Sequence, residues 1–436
     1  MLRLKKTVAT TANRSISPMS SSSNPGAIPA EPTEYIRSRR SSIIAAIFLM
    51  ATSAIGPGFI TQTATFTTKL GAAFAFGILA SVLIDFVVQI NIWRMVALAR
   101  RDASSLANAA LPGSGHVLAL LVMFGGLVFN VGNIAGAGLG LDALMGLPPA
   151  WGGALSAAIA LGIFASRRAG MAVDKLIIFL GILMIALTVY VAIVSGPPVG
   201  EALRQTVMPE VVDWVMITTI VGGTVGGYIT YAGAHRLLDR GMTGEGNLKA
   251  VTSGALNGIA VTGVMRYVLF LAILGVVSGG VTIDISGKGA NPAAQAFQAA
   301  AGNLGLRFFG LVLWAAAITS VIGAAYTSMS FLSAFRPGIS ESARNKATVV
   351  FILVSLVVFL GLGKAPSALL VFAGGFNGLI LPLGMTIFMY VGWARPDLLG
   401  GKPYSRPLLA LGSAVCLLTW YMGYKSFGGV FKFIMG

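Results

Sequence analysis

The sequence predicts an all-α polytopic membrane protein, and three observations support this class. Hydrophobic residues make up 56% of the 436 residues, whereas roughly 45–50% is typical of soluble proteins. Charged residues make up only 10%, against roughly 25% in soluble proteins. The chain also contains eleven apolar stretches, most of them close to the roughly 20 residues with which a helix crosses a bilayer. These observations exclude a soluble enzyme of two or three domains.

The eleven stretches define the predicted transmembrane spans. They cover residues 41–66, 73–99, 116–141, 151–166, 174–195, 211–235, 252–278, 307–333, 347–363, 366–392 and 408–427. Residues 1–40 come before them, and their composition is rich in Ser, Pro and Ala. We expect a disordered cytoplasmic tail there, since such a composition cannot bury a core. An organellar transit peptide is the alternative, because the segment is also poor in acidic residues.

The positions of lysine and arginine predict the orientation of the chain. If the N-terminus is inside, 21 of the 30 basic residues fall in the tail and the inner loops, and six fall in the outer loops. Cytoplasmic loops are enriched in Lys and Arg. The pattern therefore predicts a multi-pass protein of the bacterial inner (plasma) membrane with a cytoplasmic N-terminus. It also accounts for the net charge of +16 without a nucleic-acid partner.

Two spans contain sequences that interrupt a helix. In the first span these residues are Gly56-Pro57-Gly58, and polar residues follow them at Thr61, Gln62 and Thr63. The sixth span contains four glycines within Gly222-Gly223-Thr224-Val225-Gly226-Gly227. Proline and clustered glycine both weaken a helix, and a break inside the membrane must face protein or water. Close helix packing is the alternative explanation for the glycines.

The numbering of the interrupted spans predicts an inverted-repeat transporter. Breaks in spans 1 and 6 indicate two repeats of five spans, residues 41–195 and 211–392, followed by an additional span at 408–427. In such proteins the substrate binds between the breaks, where helix ends offer N–H groups and carbonyl oxygens. We therefore predict a substrate site formed by Gly56, Pro57, Gly58, Thr61, Gln62, Thr63, Gly222, Gly223, Thr224, Gly226, Gly227 and Tyr228.

Several short segments resemble NRAMP-type divalent-metal transporters, over roughly residues 43–430. They are Gly56-Pro57-Gly58-Phe59, Leu70-Gly71-Ala72-Ala73-Phe74, Gly146-Leu147-Pro148 and Gly222-Gly223-Thr224-Val225. The resemblance implies the fold shared with the sodium-coupled leucine transporter (LeuT), with broken helices 1 and 6 and alternating access. It also implies uptake of a divalent ion such as Mn, Fe or Mg.

The metal-binding motifs of that family are replaced in this chain. The family's D-P-G-N is absent, Gly226-Gly227-Tyr228 stands in place of its M-P-H, and Asn130 and Asn133 align with its D-x-x-E pair. Thr, Gln and Gly offer neither the charge nor the soft donors that divalent and transition metals require. The residues favour a neutral, roomy site for a small polar or carboxylate solute and no metal site. Some bacterial relatives with this altered pattern resemble proteins found beside 5-oxoprolinase components, which makes 5-oxoproline a candidate.

Ionisable and polar residues within the spans are candidates for coupling or gating. Asp85 in span 2 and Arg266 in span 7 lie at matching depths, and we predict that they pair. The pair is either a structural staple or a switch in which Asp85 takes up a proton, since a membrane-buried charge costs at least ~2.5–3.5 kcal/mol. Further candidates for coupling or gating are Asn130, Asn133 and His235.

The functional class predicted by these observations is a proton-coupled secondary transporter (a symporter). A channel would require a continuous polar lining, whereas the polar residues form isolated clusters. An enzyme is not expected, because neither H-E-x-x-H nor G-x-S-x-G occurs. No cofactor is implied, and the sequence leaves the oligomeric state open. We expect Asn257 and Asn377 to form interhelical hydrogen bonds, with solute contact as the alternative.

Overall fold

The computed structural model describes residues 56–165, 167–287 and 289–435, and within these ranges the regular structure is entirely helical. The predicted tail, residues 1–40, and the start of span 1 lie outside the described residues. The α-helices are α1 Pro57–Leu70, α2 Phe74–Ala99, α3 Ala103–Ala110, α4 Ser114–Met145, α5 Pro149–Ala165, α6 Arg167–Val194, α7 Val199–Val207, α8 Trp214–Gly222, α9 Tyr228–Asp239, α10 Leu248–Ser278, α11 Pro292–Ser330, α12 Glu341–Leu362, α13 Pro366–Ala394 and α14 Arg406–Met435.

Each predicted span coincides with helical backbone in its described part. Seven helical stretches in the described ranges are long and apolar enough to cross a membrane, with α1 and α2 counted together. An eighth is added if α6 and α7, which meet at a bend of 107°, form one span. Of the remaining predicted spans, span 4 is a 17-residue apolar helix and span 6 is divided between α8 and α9.

Local sequence signals explain where several helices begin. Pro57 and Pro366 occupy the first turns of α1 and α13, where a missing N–H group costs nothing. Asp213 caps α8 by accepting a hydrogen bond from the backbone N–H of Met216. Ser340 caps α12 in the same way. These caps satisfy donors that would otherwise be unpaired at the helix ends.

The predicted interruption of span 6 is present. Helix α8 ends at Gly222, residues 223–226 form turns, and α9 begins at Tyr228. Gly227 has φ +53° and ψ −123°, a conformation that residues with a side chain rarely adopt. In span 1, helix α1 begins at Pro57 after the extended residue Gly56. The half of that span preceding the break lies outside the described residues.

The long helix α4 lies at the centre of the fold and packs against α5, α11, α12 and α13. Glycines allow two of these approaches, because a Cβ atom on Gly140 would collide with the backbone of Trp314 in α11. A Cβ atom on Gly138 would likewise collide with the backbone of Pro149 at the start of α5. Helix α2 packs mainly on α10, and α13 packs on α8 and α14. The start of α1 and the break of span 6 thus lie among α2, α4, α10 and α13.

Candidate functional site

Gln62 joins the start of α1 to both the span 6 break and α13. Its side chain is fully buried, and its Nε2 donates a hydrogen bond to the carbonyl oxygen of Leu370 at 3.1 Å. Its Oε1 accepts no hydrogen bond from the described residues. A Cβ atom built on Gly223 would lie 2.5 Å from that oxygen. Gln62 Oε1 is therefore an unused hydrogen-bond acceptor that lies next to Gly223 in the break of span 6.

Asn377 of α13 lies beside Gly227, the last residue of the same break. Its Nδ2 donates to the carbonyl oxygens of Gly125 in α4, at 3.1 Å, and of Ala373, at 2.9 Å. Its Oδ1 lies against Gly227 and accepts no hydrogen bond from the described residues. The bond to Gly125 confirms the interhelical hydrogen bond predicted for Asn377.

The corresponding prediction for Asn257 is wrong. Its Nδ2 donates to Ser253 Oγ at 3.3 Å, one turn earlier on the same helix α10. The side chain is exposed on the surface of the fold, and no other helix in the described ranges offers it a hydrogen-bond partner. Position along a span sets the depth of a residue but not the direction in which its side chain points.

The glycines of the break permit close packing and do not leave empty space. A Cβ atom on Gly222 would collide with the carbonyl oxygen of Gly374 in α13. One on Gly226 would lie 2.9 Å from the carbonyl oxygen of Asn377, and one on Gly227 would collide with that residue's side chain. The expectation of a roomy site is wrong for this conformation, because α13 fills the space that the missing side chains leave.

The predicted residues of α1 divide into two groups. Thr61 is buried, and its hydroxyl has no hydrogen-bond partner among the described residues. Thr63 donates to the carbonyl oxygen of Phe59 at 2.7 Å, which satisfies its hydroxyl within the helix. Pro57 packs into the space left by Gly136 in α4. Thr61 and Gln62 are therefore the predicted α1 residues with polar atoms that no described residue pairs, and Gln62 lies against the break of span 6.

Aromatic packing surrounds the other end of the site. Tyr228, the first residue of α9, meets Phe129 of α4 edge to face, with ring centroids 5.5 Å apart. A Cβ atom on Gly58 would lie 3.8 Å from the ring of Phe129. The start of α1 and the start of α9 therefore meet at one aromatic side chain of α4.

Asp85 of α2 and Arg266 of α10 line one small cavity together with Thr224 of the break. Both charged side chains are 2% exposed. The Thr224 hydroxyl donates to Asp85 Oδ2 at 2.6 Å. The guanidinium carbon of Arg266 lies 4.2 Å from the ring centroid of Phe59, a cation–π arrangement. The cavity has room for about one water molecule.

The predicted direct ion pair between Asp85 and Arg266 is not formed. Among the described residues, no nitrogen of Arg266 lies within 4.0 Å of an Asp85 oxygen. Thr224 donates a hydrogen bond to one oxygen of Asp85, and Phe59 packs against the face of the Arg266 guanidinium. The two charged groups therefore line the same cavity without direct contact. Asp85 Oδ1, Arg266 Nε and Arg266 Nη2 have no hydrogen-bond partners in the described part of the chain.

The other predicted coupling residues lie elsewhere. Asn130 donates to Ser355 Oγ of α12 at 3.1 Å, and its Oδ1 accepts nothing from the described residues. Asn133 is buried one turn further along α4, and its Nδ2 is equally unpaired within the described ranges. His235 lies near the end of α9, with Nε2 3.9 Å from Asp239 Oδ1. None of the three contacts the Asp85–Arg266 cavity.

Three polar or aromatic residues at this cavity were not predicted from the sequence to have a role. Ser81 and Thr262 line its walls, and Phe59 supports the guanidinium of Arg266. A bulky aromatic directly after Gly58, in a helix start otherwise rich in small and polar residues, was the available signal for Phe59. Ser81 and Thr262 gave no signal, because hydroxyl residues are common in transmembrane helices and satisfy themselves on their own backbone, as both do here.

The amino-acid sequence is similar to a known protein family and to two bacterial membrane proteins. Residues 47–427 match the protein family described as natural resistance-associated macrophage protein-like (Nramp). The "uncharacterized membrane protein YcsG" of Bacillus subtilis is 48% identical over 383 residues, which cover 88% of this chain and 93% of that protein. An uncharacterized membrane protein of Haemophilus influenzae is also 48% identical, over 86% of this chain and 92% of its own.

Solved structures share the architecture at low sequence identity. A variant of the Eremococcus coleocola manganese transporter superposes with a TM-score of 0.72 at 14% identity, covering 94% of this chain and 90% of that one. MhsT in complex with L-phenylalanine superposes with a TM-score of 0.56 at 17% identity, covering 87% and 98%. At such identities the likeness shows the fold alone, a LeuT-type transporter fold.

Proposed function

The chain belongs to the Nramp family of membrane transporters, and on that premise we propose that it carries a small polar or carboxylate solute instead of a divalent metal ion. The solute binds between the break of span 6 and the start of α1, and it crosses the membrane by alternating access together with a proton. 5-Oxoproline is the first candidate, since it combines one carboxylate with a lactam N–H group and carbonyl group.

The observation that carries this proposal is a set of neutral polar atoms on α1 and beside the break of span 6. Thr61 Oγ1, Gln62 Oε1 and Asn377 Oδ1 are buried and have no hydrogen-bond partner among the described residues. Buried polar groups are nearly always hydrogen-bonded, so unused ones indicate a missing partner. A hydrogen-bonding solute supplies such partners without needing a charged ligand set.

Metal transport is the alternative that the family name favours. A dehydrated Mn or Fe ion requires carboxylate, imidazole or sulfur ligands. In the described ranges no group of three or more His, Cys, Asp and Glu residues could hold a metal ion. The solved relative named as a manganese transporter is 14% identical, too distant to transfer its substrate.

Asp85 is the proposed proton acceptor. It is a buried carboxylate, and its bond to Thr224 ties its state to the break of span 6. A buried carboxylate that loses its partners is costly while charged and is stabilised by a proton. Asn130, Asn133 and His235 remain proposed gating residues, and the first of them already links α4 to α12.

The proposed topology follows the charge pattern. Residues 41–195 and 211–392 form the two inverted repeats, residues 408–427 add span 11, and the N-terminus is cytoplasmic. The plasma membrane of a bacterium is the proposed location, supported by bacterial relatives that are themselves membrane proteins.

Uptake by proteoliposomes tests the proposal. The purified protein is reconstituted, and the uptake of radiolabelled 5-oxoproline, of neutral amino acids and of Mn(II) is measured under an inward proton gradient. We expect saturable uptake of an organic solute and a Mn(II) signal equal to that of protein-free liposomes. Saturable Mn(II) uptake without uptake of any organic solute would establish the metal alternative.

A further inference from the structure

Arg266 is a buried cation, and part of its hydrogen-bonding capacity is unused among the described residues. Two of its nitrogens, Nε and Nη2, are buried and donate to no atom of the described chain. The hydroxyls of Ser81 and Thr262, which line the same cavity, already bond to carbonyl oxygens of their own helices. A guanidinium group offers donors in a fork that matches the two oxygens of a carboxylate. The cavity therefore presents a guanidinium group with unused donors on the side opposite Asp85.

The position of Arg266 connects the start of α1 with the break of span 6. Its guanidinium lies on Phe59, which follows Gly58 in the first turn of α1. Across the cavity, Asp85 is held by Thr224 from the break of span 6. A ligand that draws Arg266 or Asp85 out of these contacts thus acts on the start of α1 and on the break between α8 and α9 together.

The charge balance of the cavity is set by these two residues. Among the helices packed against α2, Arg266 is the charged residue that interacts electrostatically with Asp85 within the described ranges. None of the other charged and titratable residues of the elements packed on α2 lines the cavity. They are Lys69, Glu201, Arg204, Tyr228, Tyr231, His235, Arg236, Asp239, Glu245, Lys249, Tyr267, Tyr390, Asp397, Arg406, Cys416, Tyr421, Tyr424, Lys425 and Lys432. With Asp85 ionised, the cavity is neutral overall.

We propose that Arg266 binds the carboxylate of the transported solute and that Asp85 is its replaceable counter-ion. This inference rests on the proposed function and specifies its substrate class as a monocarboxylate. The solute's carboxylate takes the place of Asp85 opposite Arg266, and the displaced Asp85 takes up one proton from water. One negative charge and one positive charge enter together, so the occupied site stays neutral.

Carboxylate binding and protonation of Asp85 are coupled because the occupied site must stay electrically neutral. A second unpaired carboxylate beside Asp85 would place a net negative charge in a low-dielectric interior, at a cost of several kcal/mol. Protonation of Asp85 removes that charge. The site therefore takes up one proton per carboxylate, and the transport cycle moves no net charge.

The cavity is smaller than a carboxylate group, so binding requires the elements around it to move. Phe59 and Thr224 contribute its contacts from the two interrupted spans. Displacement of Phe59 opens the cavity toward the start of α1, and release of Asp85 frees Thr224. Solute binding thus changes contacts at the start of α1 and at the break of span 6, as alternating access requires.

The test measures binding and uptake of 5-oxoproline by the reconstituted protein between pH 5 and pH 8. The neutral amide of the same acid is the paired ligand. For the wild type we expect the carboxylate to bind more tightly as the pH falls, by about tenfold per pH unit while Asp85 is ionised. Uptake should follow a pH gradient and be unchanged when a valinomycin-set membrane potential is imposed. The amide should show no pH dependence.

Three variants separate the role of Asp85 in proton uptake from the role of Arg266 in carboxylate binding. Asp85→Asn should bind the carboxylate with an affinity that does not vary with pH and should lose uptake driven by a pH gradient. Arg266→Gln should lose at least tenfold in carboxylate affinity. Arg94→Gln is the matched control, because Arg94 also joins α2 to α10 through Thr252, at 2.8 Å, but lies outside the cavity. It should behave like the wild type.

The outcomes distinguish this inference from the proposed function. The inference is overturned if the wild type binds the carboxylate with an affinity that does not depend on pH, or if uptake responds to membrane potential. Both results are informative even if Arg266→Gln fails to fold. So does binding of the amide alone, although that result leaves the proposed function intact. Binding of Mn(II) with no organic ligand bound overturns both.

Discussion

The hydroxyl of Thr224 donates a 2.6 Å hydrogen bond to Asp85, which joins the break of span 6 to the middle of α2. Thr224 belongs to a segment whose backbone is already interrupted, and Asp85 is 2% exposed. The bond therefore links the element expected to move with the carboxylate expected to carry a proton. The first prediction concerns this link.

Thr224→Val preserves the shape of the side chain and removes its donor. Asp85 then loses a hydrogen bond in a buried site, which costs about 1–3 kcal/mol. We expect a lower melting temperature in detergent at neutral pH, with part of the loss recovered in acid, where Asp85 is protonated. Thr224→Ser keeps the hydroxyl and is the control. Equal melting temperatures for Thr224→Val and the wild type at pH 8 would show that the bond contributes nothing.

Gly222→Ala should destabilise the protein because the break packs directly on α13. The new methyl group would collide with backbone atoms of Gly374 and Gly378, which cannot rotate away. Overpacking of this kind costs about 1–3 kcal/mol. Size-exclusion chromatography and thermal unfolding of the purified protein measure the effect.

Gly162→Ala in α5 is the matched control for this substitution. A Cβ atom there meets no atom within 4 Å, and alanine favours a helix over glycine by roughly 0.5–1 kcal/mol. Its melting temperature should equal or exceed that of the wild type. If Gly222→Ala were as stable as Gly162→Ala, the break would be loosely packed and the roomy site expected from the sequence would be restored.

Gln62→Ala should weaken solute binding. The substitution removes the unused Oε1 next to Gly223, and one lost hydrogen bond of about 0.5–1.5 kcal/mol corresponds to roughly two- to tenfold in affinity. The measurement is the KM for uptake of the identified solute. Gln298→Ala, an exposed glutamine on α11, is the control. An unchanged KM for Gln62→Ala would remove Gln62 from the site.

Asp102 gives a stability prediction with a defined pH dependence. It caps α3, and although burial opposes its ionisation, hydrogen bonds from Ser104 and Ser105 lower the pKa of its carboxyl below the usual 3.8. A lowered folded-state pKa means that the stabilisation is complete above pH 3.8 and is lost as the pH falls through the folded-state value. Asp102→Ala should lower the free energy of unfolding by about 0.5–2 kcal/mol at neutral pH.

Asp102→Asn is the informative companion of that variant. Asparagine caps a helix about as well as aspartate, so its stability at pH 7 should match the wild type. It does not titrate, so it should lack the acid-dependent loss assigned to this position. Thermal unfolding of the three proteins from pH 7 down to pH 3 makes the comparison. A stability for Asp102→Ala equal to that of the wild type at pH 7 would contradict the capping role.

The sequence predicted those features that depend only on residues close together along the chain. Span length and apolar content predicted the helices, and Gly222 to Gly227 predicted the interruption of span 6, because backbone groups and propensities act locally. Matching positions along their spans predicted that Asp85 and Arg266 lie near each other, and both residues line one cavity.

Side-chain direction and tertiary contact could not be predicted in the same way. The hydrogen bond from Thr224 to Asp85 and the stacking of Arg266 on Phe59 depend on how each helix is rotated. Apolar residues on all sides of these helices gave no amphipathic face from which to infer that rotation. The space beside Gly222 illustrates the same limit, since a glycine does not reveal whether a neighbour or a ligand occupies the room it leaves.

The most direct test of the central claim is a side-by-side uptake measurement. Wild-type proteoliposomes under an inward proton gradient receive either radiolabelled 5-oxoproline with other small carboxylates as competitors, or Mn(II) with a metal-sensitive dye inside. The account predicts saturable, proton-driven carboxylate uptake that excess Mn(II) does not inhibit, and no dye response above protein-free vesicles. A saturable dye response to Mn(II), with no carboxylate accumulated, would contradict it.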